Sequence, residues 1–83
     1  MNKIISIRVL QHEKGSDQIR IGAKTLIYAS QLEKAARDLI AQYEKEKDRY
    51  GGFKAACEKY YQRIAIVDGD TLQELRVIYK NTL

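Results

Sequence analysis

The sequence predicts a small α+β fold: an N-terminal β-hairpin packed on an antiparallel helical hairpin, with a short C-terminal helix. Three observations carry that expectation. Apolar and polar residues alternate over Ile5, Ile7 and Val9, and again from Ile19 to Ile27, the period-2 signature of half-buried strands. Apolar residues then recur at helical spacing in two stretches, Leu32 to Tyr43 and Phe53 to Val67, with Gly51-Gly52 between them as a helix stop. The chain has 83 residues, which makes a single small α+β domain over residues 1–83 and gives it a thin stability margin.

The first element turns on register. A regular two-residue loop at Gly15-Ser16 would set Val9 against Gly22 and Ile7 against Lys24, placing a lysine on the apolar face. A three-residue loop with Gly15 or its neighbour at positive φ, or a bulge at Gly22, aligns apolar with apolar instead. Either device is expected to leave Arg8, His12, Arg20 and Lys24 together on the other face.

Ser30-Gln-Leu-Glu33 reads as a capping box that starts the first helix. Leu32, Ala36, Leu39 and Tyr43 form its stripe, and Glu33/Arg37 and Lys34/Asp38 are spaced for flanking ion pairs. In the second helix the stripe is Phe53, Cys57, Tyr60, Ile64 and Val67. The tail supports two readings. Asp70 as an N-cap with Leu72, Leu75 and Tyr79 at helical spacing gives a third helix and the order ββααα. RIAIV and LRVIY are rich in β-branched and aromatic residues, and pairing them across Asp68-Gly69 gives the alternative order ββααββ. The helical reading is preferred here.

Charge and cysteine content narrow the function. The net charge is +4, and residues 1–29 alone carry a surplus of three, from Lys3, Arg8, Lys14, Arg20 and Lys24 against Glu13 and Asp17. One cysteine excludes an internal disulfide, which fits a reducing interior. MNKIISIRVL lacks the apolar core and cleavage site of a signal peptide, and no apolar run reaches the ~20 residues of a membrane span. A soluble cytoplasmic protein with no membrane partner is expected.

Catalytic and metal chemistry lack residues. His12 and Cys57 are the sole histidine and cysteine, so no metal-ligand spacing exists. Asp68-Gly69-Asp70 begins like a calcium loop, but Gln73 and Tyr79 stand where glycine and glutamate are required. No glycine-rich phosphate loop is present. Cys57 lies on an apolar stripe and reads as a small buried thiol, and His12 reads as a solvent-facing strand residue. Tyr50 and Lys54 have a spacing some reductases use, but the cofactor fold it serves cannot fit in this length. No enzyme, cofactor or metal is expected.

Two functions remain. The first is a non-enzymatic accessory or regulatory protein that binds another protein, as inhibitor, adaptor or assembly subunit. Small modules of this kind are frequent among phage and mobile-element products, an analogy of class only. A homodimer belongs with this reading, by pairing of helix one over its first three turns. The second is weak, salt-sensitive nucleic-acid binding through the basic face of the hairpin. The expected partner-binding residues are Arg8, Arg20 and Lys24 on that face, with the tyrosines Tyr28, Tyr50 and Tyr61 as partly exposed contact rings.

Overall fold

The computed structural model describes residues 3–45 and 51–81. Strand β1 runs over Ile4–Glu13, β2 over Ile19–Ile21 and β3 over Thr25–Tyr28; a 3₁₀ turn at Ala29–Gln31 leads into helix α1, Leu32–Lys45. Helix α2 covers Phe53–Tyr60, and strands β4 and β5 cover Tyr61–Asp68 and Glu74–Lys80. The order is therefore ββααββ, with β2 and β3 as two halves of one interrupted strand. The fold is mixed α+β as expected, but the third helix is not formed.

The tail becomes strand because β4 takes a central place. It pairs antiparallel with β1 on one side and β5 on the other, giving the order β2-β1-β4-β5, with β3 also on β1. Ile64, Ala65, Ile66 and Val67 are all almost fully buried, and four consecutive buried β-branched or small residues suit a strand in the middle of a sheet, since a helix buries only one stripe. The predicted second helix accordingly stops at Tyr60. Asp68 takes the turn role expected of Asp70: its Oδ1 accepts the amides of Asp70 at 2.8 Å and Thr71 at 2.9 Å. Leu72 then adopts a positive φ of 63°, which closes the hairpin and rules out a helix start there.

The bulge at Gly22 is present. Near the turn His12 opposes Ile19 and Leu10 opposes Ile21, and the Gly22 amide donates to Val9 O at 2.9 Å. Beyond residues 22–24 the pairing has slipped by one residue, so that Ile7 opposes Thr25 and Ile5 opposes Ile27. Gly15 has the expected positive φ of 71° in the loop between β1 and β2. The bulge follows Arg20, however, and this reverses one expectation. A one-residue slip exchanges faces, so Ile19 and Ile21 lie with Leu10 and His12, whereas Arg20 lies opposite Gln11 on the other side.

Both helices cover one face. Ala36 packs with Ile7 and Ile66, joined by Ile5, Ile27, Leu32, Ala35 and Ile78. Tyr43, Ala56, Cys57 and Ile64 form the neighbouring cluster, with Val9, Leu39 and Phe53 against them. Entry to α2 needs Gly51 and Gly52, which have φ of 77° and 98°. The Glu44 carboxylate accepts the Phe53 amide at 2.9 Å. The Ser30 capping box is replaced by a different cap. Gln31 Oε1 accepts the Tyr28 amide at 3.1 Å, while Glu33 pairs with Arg76 of β5 at 2.9 Å. The Lys34–Asp38 pair forms at 3.0 Å.

Candidate functional site

Strand alternation fixes what the uncovered face carries. Ile5, Ile7 and Val9 point toward the helices, so Ile4, Ser6, Arg8, Leu10 and His12 point away. Register then adds Tyr28 beside Ile4, Leu26 beside Ser6, Ile21 beside Leu10 and Ile19 beside His12. On the inner side it adds Val67 beside Arg8, Ala65 beside Leu10 and Arg63 beside His12.

This face is not a basic surface. Arg8, expected to meet a partner, spends its guanidinium on the chain itself: Nε donates to Gly69 O at 2.8 Å and Nη1 to Gly22 O at 3.0 Å. It ties the β4–β5 turn to the β2–β3 bulge. Lys24 pairs with Asp70 at 2.5 Å, and Ser6 Oγ donates to the same carboxylate at 3.1 Å. These two donors, Lys24 first, hold the Asp70 carboxyl below the usual carboxylate range, and the Thr71 and Asp70 amides do the same for Asp68. Arg63 and Glu74 pair across the face beside Ala65. His12 Nε2 donates to Ser16 O at 2.6 Å and so braces the loop. Arg20 is exposed, but it stands on the opposite face, 3.4 Å from Glu13. Arg8, Arg20 and Lys24 thus do not make one cationic surface. The physical reason is the bulge together with Asp70, an acid from the far end of the chain.

The tyrosines divide in the same way. Tyr28 is exposed on the helix-free face, as expected. Tyr61 is drawn inward: the chain turns from helix to strand at this residue, and its ring packs edge-on against Tyr43 at 6.0 Å. The Tyr43 hydroxyl donates to that of Tyr61 at 3.4 Å and accepts from Gln11 Nε2 at 2.8 Å. Burial, then the Tyr61 bond, raises the Tyr43 pKa well above the ordinary phenol value. Tyr61 is therefore a packing residue, and Tyr60, read as core, is the exposed one of the pair. Tyr50 lies outside the described residues. Cys57 is fully buried, and burial pushes its thiol up to about 11, so at neutral pH it is an inert protonated thiol.

What the helix-free face does offer is apolar. Ile4, Leu26 and Tyr28 form a cluster at one end, 60%, 68% and 46% exposed. They border a shallow groove of ≈ 240 Å³ completed by Ile27 and Gln31. Ile19 and Ile21, with Leu10, form a second cluster at the other end. Sequence alternation hid the second cluster, because it assigned Ile19 and Ile21 to the buried face. The signal that locates Ile19 and Ile21 is the Gly22 bulge itself, followed through to the residues on its turn side.

Among the described residues no three metal-ligating side chains come together, and no helix is long and apolar enough to cross a membrane. Comparisons with protein-family models, curated proteins and solved structures found no match.

Proposed function

We propose that this chain is a non-enzymatic accessory protein that acts by binding protein, and that the helix-free face of its sheet is the contact surface. The observation that carries this reading is the grouping of Ile4, Leu26 and Tyr28. They are three large apolar side chains on adjacent strands, each roughly half exposed or more. A sheet face with clustered exposed apolar groups is costly in water and marks an interaction site. The polar groups beside it support a protein partner over nucleic acid. Arg8 and Lys24 are held by Gly69, Gly22 and Asp70, and cations already satisfied in this way release few counterions from a phosphate backbone.

The test is capture by the immobilised full chain from a nuclease-treated extract at moderate salt, alongside a gel-shift assay on DNA and RNA at two salt concentrations. A bound protein that is lost on Leu26→Asp and retained by Arg20→Glu supports the reading. Capture indifferent to Leu26→Asp overturns it, as does a salt-sensitive nucleic-acid shift that disappears with Arg20→Glu.

A further inference from the structure

We infer that the helix-free face is covered by a second copy of this chain, sheet against sheet. The inference rests on the reading of that face as the contact surface and names its occupant.

The edges of the sheet are closed to strand addition. On β5 the pairing with β4 skips Leu75 and Ile78, giving two bulges, and β2–β3 is broken between Ile21 and Thr25. Irregular edges of this kind block edge-to-edge pairing. At the β3 end the Ala29 amide donates inward to Lys3 O, so the Tyr28 amide points outward, where Gln31 accepts it. Contact by the face remains.

The exposed surface is large for a monomer of this mass. A compact monomer of 9.6 kDa is expected to expose about 5,100 Å², whereas this chain exposes 6003 Å². The surplus of about 900 Å² is a property of the whole chain. The radius of gyration, 13.1 Å, likewise exceeds the ~12 Å of a compact chain of this length. Of the eight large apolar side chains strongly exposed among the described residues, Ile4, Ile19, Ile21, Leu26 and Tyr28 lie on this one face.

The layout is self-complementary. One apolar cluster, Ile4–Leu26–Tyr28, lies beside Asp70; the other, Leu10–Ile19–Ile21, lies in the half of the face that holds Arg63 and Lys80. A two-fold axis in the plane of contact and perpendicular to the strands sets each cluster on the opposite cluster of the second copy. It also brings Asp70 of one copy toward the Arg63 and Lys80 end of the other. Such an isologous contact closes on itself as a dimer, and two sheets packed face to face give a sandwich core about 10 Å thick.

Sedimentation equilibrium of the full chain over a roughly hundredfold concentration range tests this. A monomer–dimer equilibrium is expected, with Leu26→Asp and, separately, Ile21→Asp each weakening it about tenfold or more, because each buries a carboxylate. Lys54→Glu on α2 should leave it unchanged. Far-UV circular dichroism identifies any variant that fails to fold, and the two face substitutions serve as independent readings. A chain that stays monomeric throughout, or a dimer that survives both substitutions, overturns the inference. A monomeric chain whose capture of a different protein is still abolished by Leu26→Asp overturns self-association alone and leaves the contact surface standing. A dimer and a capture both indifferent to Leu26→Asp overturn the two readings together.

Discussion

The two faces of this one sheet are built from similar residues and serve different ends. On the helix side Ile7, Ile64 and Ile66 are buried under α1 and α2. On the other side Ile4, Ile19, Ile21 and Leu26 stand in water while Arg8, Lys24 and Arg63 are engaged with the chain's own carbonyls and carboxylates. The difference teaches that hydrophobicity alone does not assign a strand residue to the core. The assignment comes from register, and for Ile19 and Ile21 register is set by the bulge at Gly22.

The comparison breaks most readily under deletion of side-chain volume. Ile64→Ala or Ile66→Ala removes a side chain at most 1% exposed and should cost about 2–4 kcal/mol by denaturant titration. Leu26→Ala, the matching deletion on the helix-free face, should change the stability of the monomer by under ~0.5 kcal/mol. Equal costs for the two would mean that the faces are not distinct.

A smaller effect is expected where the β4–β5 turn meets the bulge. A Cβ on Gly69 would stand 2.8 Å from Ser6 Oγ and 3.0 Å from Lys24 Cγ, so Gly69→Ala should destabilise by about 1–3 kcal/mol through overpacking. Arg8→Ala removes two charge-assisted bonds to carbonyls and should cost about 1–2 kcal/mol in the same titration. Arg20→Ala should be nearly silent, since an exposed ion pair contributes little. If Arg20→Ala destabilised the fold more than Arg8→Ala, the roles given to the two arginines would be reversed.

Acid sharpens the same corner. Asp68 and Asp70 have carboxyl pKa values lowered in the folded state. Their contribution is therefore present above the ordinary carboxylate range and is lost as pH falls through the lowered folded-state values. Thermal midpoints measured from neutral to acidic pH should fall less steeply in Asp70→Asn than in the natural sequence. An unchanged acid limb would remove the Lys24–Asp70–Ser6 cluster from the account.

Much of the fold was legible in local pattern. The hairpin, the bulge at Gly22 and the stripe through Ala36 and Tyr43 all follow from spacing, because strand alternation and helix periodicity are local signals. The tail was not legible. Leu72, Leu75 and Tyr79 satisfy helical spacing, and what overrules it is the non-local pairing of β4 with β1, which no window of the sequence contains. The surroundings of the candidate residues were not legible for a related reason. Arg8 looked free because its acceptors, the carbonyls of Gly69 and Gly22, become neighbours only once the sheet is assembled. The contact of Tyr61 with Tyr43 was not legible because the expected helix ran past Tyr60, whereas β4 begins at Tyr61.

We propose that the helix-free face, and not the helical layer, carries the contact between two copies of this chain. An amide NMR dilution series of the full chain over a roughly hundredfold range reads this residue by residue. The expected result is concentration-dependent shifts at Ile4, Leu10, Ile19, Ile21, Leu26 and Tyr28, with the exposed residues of α1 and α2 unmoved. Shifts confined to the helices, or a spectrum that does not change with dilution, would contradict it.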